Sequence, residues 1–212
     1  EESNLKLTDR EIFTKIWTSP RLVFKFLNDN RYDKYVQILL ILAGITRTFN
    51  RASTKNMGDN ISLIAVLALC IILGGLLGWI FYYIYAALMN WTGKWLKGQG
   101  DTKSLLRMMS HAMIPSIVAL ILLFPQIAIF GNGIFQSEID IHGSGLFSMI
   151  VFYITAFFEI VLGLWTLVIF VVGISEVQKI SIGKSILNMI LPGLIIIAPI
   201  AMIAFILGDL FG

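Results

Sequence analysis

After a polar head, apolar residues fall into five runs separated by short polar joints. In the head, Thr8-Asp9-Arg10-Glu11 has capping-box spacing, and Ile12, Phe13, Ile16 and Trp17 follow at helical intervals, which predicts a short amphipathic helix. Ser19-Pro20 stops it and starts another, with an N-cap followed by proline at the first helical position. From Arg21 to Leu27, basic residues are mixed with Leu22, Val23, Phe24, Phe26 and Leu27, the pattern of a helix lying in the headgroup plane. Asn28-Asp29-Asn30 then turns the chain inward. Two readings of the head stand: a cover for the base of a helix bundle, or a partner-docking or lipid-sensing element.

A bilayer core of about 30 Å takes roughly 20 helical residues, so the runs predict spans at 35–55, 61–90, 110–130, 146–173 and 185–207. The first has a short apolar stretch, Val36 to Thr46, and carries Arg47 and Arg51 into the apolar zone. The second is uncharged from Ile61 to Asn90 and ends in an aromatic belt of Trp79, Tyr82, Tyr83, Tyr85, Trp91 and Trp95. The third holds Pro115 and Pro125, the fourth one carboxylate, Glu159, and the fifth Pro192 and Pro199. The predicted fold is an all-α membrane bundle of five helices (35–212), preceded by a head (1–34) of amphipathic interfacial helices.

Composition agrees: 57% of the 212 residues are hydrophobic and only 14% charged, against about a quarter charged in soluble domains. The single cysteine, Cys70, and the two histidines, His111 and His142, exclude a disulfide framework and argue against a metal centre. The net charge is only +3 and the basic residues flank the greasy runs, which points to anionic headgroups on the inner face rather than to nucleic acid.

Orientation follows from the basic residues. The chain starts at Glu1 rather than at a methionine; residues 1–34 hold seven of the sixteen Lys and Arg and lack the apolar core of a secretion signal, so this start is expected to stay cytoplasmic. With five crossings the inner side also collects Lys94, Lys97, Lys103, Arg107, Lys179 and Lys184. The outer side gets Arg47, Arg51 and Lys55, and its Gly131–Gly145 loop carries only Glu138 and Asp140. Omitting the first span would put Lys94 to Arg107 outside, so the charge rule itself requires that span, with the C-terminus outside.

An ionisable group in hydrocarbon costs a few kcal/mol, which makes Glu159 the most informative residue. Ser148, Thr155, Glu159, Gly163, Thr166 and Gly173 recur at helical spacing and should face other helices, while Arg47, Arg51 and Lys55 align at i, i+4 and i+8. At 1.5 Å per residue Arg47 lies roughly 16 Å above the inner edge and Glu159 roughly 20 Å below the outer edge. In a core of about 30 Å these depths differ by about 6 Å. A buried Glu159–Arg47 pair is therefore feasible, either as a structural device that sets helix docking or, with Thr155 and Thr166, as an ion, proton or headgroup site.

Gly74 and Gly78, extended backward by Cys70, have small-xxx-small spacing for close helix packing, within a subunit or between copies. The prolines suggest kinks or the broken helices of transporters. His111 is expected at the inner mouth of the third span, as an ordinary interfacial histidine or a titrating switch. Glu176, placed after the fourth span, is expected to bridge to an inner-side cation. The run from Gly93 to Gly100 reads as a turn at the membrane surface. No nucleophile elbow, HExxH helix, phosphate-binding glycine loop or carboxylate cluster occurs, so an enzyme is not expected.

Ser19-Pro20-Arg21, Ile41-Leu42-Ala43-Gly44-Ile45 leading to Arg47 and Arg51, Gly93-Lys94-Trp95-Leu96, Ala112-Met113-Ile114-Pro115-Ser116 and Gly173-Ile174-Ser175-Glu176-Val177-Gln178, in that order, resemble the bacterial branch of the Yip-one domain family, the Ypt-interacting proteins. The resemblance runs from about Ile12 to the end. It implies five spans with a cytoplasmic start, and a bacterial inner membrane. Eukaryotic members sit in endoplasmic reticulum and Golgi membranes, bind prenylated Rab-type GTPases and pair with a related partner. The head here lacks their acidic aspartate-leucine-tyrosine-glycine-proline type of motif, so Rab binding is not carried over. The expected role is non-enzymatic and without a cofactor: membrane organisation, or recruitment of a membrane-protein partner or second copy, through an inner face bearing Lys94, Lys97, Arg107, His111, Glu176 and Gln178. The alternative is a solute, ion or lipid transporter built around Arg47 and Glu159.

Overall fold

The computed structural model describes the backbone of residues 6–139, 141 and 145–211, and the side chains of 6–139, 141, 145–199 and 202. Asp140 and His142, weighed above, lie outside the described residues. The described chain is helical, with no strand: α1 (Asp9–Lys15), α2 (Pro20–Asp29), α3 (Val36–Thr54), α4 (Leu63–Trp95), α5 (Thr102–Ala112), α6 (Ile114–Val118), α7 (Leu120–Phe130), α8 (Leu146–Gln178) and α9 (Ile182–Phe211), with 3-10 turns at Met57–Asp59 and Gly131–Phe135.

Local chemistry sets the element ends. The Thr8 hydroxyl accepts the Glu11 N–H at 3.3 Å while the Glu11 carboxylate accepts the Thr8 N–H at 2.9 Å, a complete capping box. Pro20 does begin α2, but the Ser19 hydroxyl makes no cap hydrogen bond, so proline's fixed φ alone marks that start. Helices α2, α4 and α8 end alike, on a left-handed basic residue: Arg31 (φ 47°), Lys97 (φ 65°) and Lys179 (φ 55°). A returning N–H closes each end, Tyr32 to Leu27 at 3.0 Å, Gly98 to Gly93 at 2.8 Å and Ile180 to Ser175 at 3.3 Å. Left-handed backbone is unfavourable for a side chain by about 1 kcal/mol, partly offset by a cation at the negative end of the helix dipole.

Four helices are long and apolar enough to cross a membrane: Leu63–Trp95, Thr102–Phe135, Leu146–Gln178 and Ile182–Pro199. Helix α3 has the length, 19 residues, but Asn50, Arg47 and Arg51 lower its apolar character, so the first predicted span does not join them. The second and fourth spans overrun their predicted ends by several residues. At 33 residues each, α4 and α8 reach about 50 Å, well beyond a hydrocarbon core of about 30 Å. Surface exposure shows where the overrun goes. Large apolar side chains face outward on α4 from Ile64 to Ile84 and on α8 from Leu146 to Val168. Past those points Ala86 and Met89, and Ile169 and Ile174, turn into a protein core, with only Trp91 and Trp95 still outside.

That core is a collar at one end of the bundle. Its hub is α5, in which every residue from Ser104 to Ala112 is buried. The third predicted span therefore begins earlier than expected, at Thr102, and is interrupted at Met113 and Ala119. Pro115 has no N–H to donate and its ring crowds the preceding turn. The head is part of the collar and does not lie flat outside it: Ile12, Ile16, Val23, Phe24 and Leu27 share one hydrophobic cluster with Leu105, Met108, Ile169 and Ile174. Trp165 also donates its indole N–H to the Trp17 carbonyl at 3.2 Å.

Asp9 holds α1 in place. Its carboxylate accepts the Tyr32 and Tyr35 hydroxyls, each at 2.6 Å, and the Lys34 ammonium. The Lys34 contact, helped by the two phenols, holds the Asp9 carboxyl well below the usual range, and the Lys15 ammonium lowers Glu11 to about 2. A depressed carboxyl stabilises the fold above its unfolded value of about 4, and that contribution is lost as pH falls through the folded value. Acidification from pH 4 to pH 2 is therefore expected to release α1 before the bundle unfolds, seen as protease cleavage near Trp17. Asp9→Asn should give the same cleavage at neutral pH. Protection unchanged in Asp9→Asn would refute this role for Asp9.

Candidate functional site

The close crossing of α3 and α4 places Arg47. Gly44 meets Gly74 and Gly78 so tightly that a Cβ on Gly78 would stand 2.4 Å from the Gly44 Cα, and one on Gly74 would stand 2.3 Å from the Thr48 hydroxyl. Thr48 donates to the Cys70 carbonyl at 2.8 Å, and Tyr82 to the Ala43 carbonyl at 3.3 Å. The small-residue face thus serves packing within one chain.

Arg47 and Glu159 do not pair. The Arg47 guanidinium lies over the Phe81 ring, 3.5 Å from its centroid. Glu159 instead accepts the Gln126 amide at 2.9 Å, and the same amide nitrogen donates to Thr155 at 2.9 Å. Thr155 in turn donates to the Val151 carbonyl at 2.8 Å. The depth estimate placed the two charges at similar levels but could not give their direction around the helices, and they face two different grooves. One, of about 300 Å³, is lined by Glu159 and Gln126 with Thr46, Asn50, Ser53 and Ser116. The other, of about 400 Å³, holds Arg47, with Tyr85, Met113, Thr166 and Phe170 among its walls. Gly163 borders both, and a Cβ there would meet nothing within 4 Å. Arg51 is exposed and has no ion pair among the described residues.

The inner-face candidates separate into exposed and structural groups. Lys94 and Lys97 are exposed, Lys97 as the left-handed cap of α4. Glu176 pairs with Lys179 at 2.6 Å from within the last turn of α8, which continues past the predicted end. Arg107 is not a free surface cation: its side chain is 6% exposed, and its Nε donates to Asp33 at 2.7 Å. His111 is wholly buried rather than interfacial, with Nδ1 2.9 Å from the Arg107 carbonyl.

Gln178 is likewise buried, so it is no surface contact. Its Oε1 accepts the Gly100 N–H and its backbone carbonyl the Gln99 N–H, both at 3.0 Å. Beside it Asn188 donates to Thr92 at 2.8 Å and to the Met89 carbonyl at 3.0 Å. A Cβ on Gly93 would stand 2.3 Å, and one on Gly98 2.4 Å, from the Gln178 amide. The glycine-rich turn is glycine-rich because it wraps this amide. The sequence reading passed over Gln126, Asn188 and Asp33. The first two are lone amides in apolar runs, a legible sign of buried hydrogen bonding; Asp33 had no such sign.

The collar opens on a polar groove of about 960 Å³, with Asn28, Arg31, Gln99, Lys103 and Lys179 on its walls and Arg107 at its base. Asn90 also lines it, and its carbonyl oxygen is buried with no hydrogen-bond partner. Among the described residues no cluster of His, Cys, Asp and Glu could hold a metal ion.

A family model described as the Yip1 domain matches residues 14–203. No curated protein and no solved structure matches the chain.

Proposed function

We propose that this chain, which belongs to the Yip1 domain family, is a non-enzymatic scaffold of the bacterial inner membrane that recruits a membrane-protein partner through its cytoplasmic collar. The observation that carries this reading is the open polar groove in the collar, to which Arg31, Lys103 and Lys179 bring three cations beside the ion pair of the buried Arg107 with the exposed Asp33. The collar sits at the end where the head and the basic joints gather, the side that basic residues favour in cytoplasmic loops. Five crossings, with the start inside, fit this placement. Helix α3 begins beside the head, where Tyr35 meets Phe13 at 5.3 Å between ring centroids, and ends against the opposite turn, where Phe49 stacks on Phe135 at 6.2 Å. Arg47 and Arg51 then lie within that crossing.

The test is native mass spectrometry of the protein extracted gently from its own membrane, alongside a variant carrying Lys103→Glu, Arg31→Asn and Lys179→Asn. Asparagine tolerates the left-handed backbone at the two cap positions. The expected result is a protein subunit retained by the wild type and lost from the variant at equal thermal stability. A wild type that carries no subunit, or a variant that keeps it, rejects the scaffold reading.

A second reading, passage of a small cation or proton, is favoured by the polar-lined groove at Glu159, where among the described residues a carboxylate inside a spanning helix is met only by the neutral Gln126 amide. Glu159→Gln is then expected to abolish flux in proteoliposomes. It should cost only about 1 kcal/mol of stability, the difference between a charged and a neutral hydrogen bond. Had Glu159 held Arg47, the loss would be about 3 to 5 kcal/mol. Flux equal to wild type removes this reading.

A further inference from the structure

Arg47 is a cation within the proposed α3 crossing and has no acid beside it among the described residues. Among the described residues it forms no ion pair and no hydrogen bond, and its contact is the face of the Phe81 ring, 3.5 Å from the guanidinium carbon. Stacking occupies the flat face of a guanidinium and leaves its N–H edge free, and that edge matches the oxygens of a phosphate or carboxylate two at a time. At the edge of the hydrocarbon a cation is held by water or by a counter-ion. The described residues supply no counter-ion, which leaves that place to a ligand from the surroundings.

The groove indicates where the counter-ion comes from. Its volume is about 400 Å³ and its walls are mainly apolar, with Met109, Met113 and Met189 among them. Methionine side chains are flexible and adapt to irregular apolar shapes such as an acyl chain. Two wall residues, Phe81 and Leu167, are among the outward-facing apolar side chains. The groove therefore opens sideways to the lipid. It also lies at the level where outward-facing apolar side chains stop, Ile84 on α4 and Val168 on α8, which is headgroup depth on the collar side. Among the described residues no carboxylate lines it, so the ammonium of a zwitterionic lipid would find no partner there.

We infer that the Arg47 groove is a binding site for one anionic phospholipid of the collar-side leaflet, its phosphate on the edge of the Arg47 guanidinium and an acyl chain along the methionine-lined wall toward Gly163. The site shares no residue with the collar groove and meets the Glu159 groove only at Gly163, so lipid retention is read separately from partner retention and from flux.

The test is native mass spectrometry of delipidated protein offered equal dioleoyl phosphatidylglycerol and dioleoyl phosphatidylcholine in detergent. Wild type should retain one phosphatidylglycerol in preference to phosphatidylcholine. Arg47→Gln should weaken that binding about tenfold, the value of one charge-assisted contact, while Arg51→Gln on the same helix should leave it unchanged. Leu167→Trp, at an outward-facing position, should block the acyl path and lower retention with Arg47 intact, and it decides the matter alone if Arg47→Gln does not fold. Four results overturn the site: equal retention of both lipids, retention unaffected by Arg47→Gln or by Leu167→Trp, equal loss in Arg51→Gln, or displacement of the lipid by inorganic phosphate.

Discussion

Gly78→Leu is expected to destabilise the bundle by about 3 kcal/mol, at the upper end of overpacking costs, as read from the detergent-denaturation midpoint. A Cβ at this position meets the Gly44 Cα at 2.4 Å and the Gly44 carbonyl carbon at 3.1 Å, and both atoms are backbone, so neither can rotate away. The helices must separate, and separation also strains the Tyr82 bond to Ala43 and the Thr48 bond to Cys70. Gly75 supplies the control. It is next to Gly74 in the same helix, but a Cβ there meets only the ends of Ile41 and Ile45 side chains at 3.9 Å. Gly75→Ala should therefore be neutral or stabilising by up to about 1 kcal/mol, through helix propensity. If both substitutions have equal effects, the crossing does not depend on this contact. A change in oligomeric state with the monomer's stability intact would instead show that the glycines face a second copy.

Gln178→Leu is expected to cost about 3 kcal/mol and to release the Gly93–Gly100 turn. Leucine fills similar space but leaves the half-buried N–H of Gly100 without its acceptor and removes a buried donor beside Met89 and Asn188. Each buried polar group so abandoned costs about 1 to 3 kcal/mol. The turn joins α4 to α5, so hydrogen exchange of Gln99, Gly100 and the first turn of α5 should speed up while the lipid-facing stretch of α8 stays protected. Glu176→Gln, two residues away, breaks only the Lys179 pair, which is partly exposed, and should shift the midpoint by less than about 1 kcal/mol. Equal losses from the two substitutions would contradict the distinction between a buried knot and a surface pair.

These contrasts show why parts of the site were illegible in the chain. Arg47, Glu159 and Thr155 stood out because a charge or hydroxyl in an apolar run is expensive wherever it points. Their partners did not. Helical spacing tells which residues share a face and rise per residue tells depth, but neither gives the rotation of one helix against another. Arg47 thus reached Phe81, and Glu159 reached Gln126. Arg107 and Gln178 were read as inner-face surface because they flank apolar runs. In the fold, α4 and α8 continue beyond the bilayer and enclose α5, which buries both.

Hydropathy and local signals along the chain were enough to identify the class of the protein and the positions of most of its helices. Long uncharged runs have no stable place in water, so hydrophobicity alone commits them to a bilayer, and local signals such as the Thr8 capping box and Pro20 act within a turn of where they are written. The packing of the folded chain was needed to show that the head joins the core of the collar, that the glycines of α3 and α4 face each other, and that Arg47 and Glu159 serve separate grooves. Those outcomes depend on helix rotation and on contacts between residues far apart in the chain, such as Asp33 with Arg107 and Gln178 with Gly100. Packing all the helices at once fixes them, and no single segment carries that information.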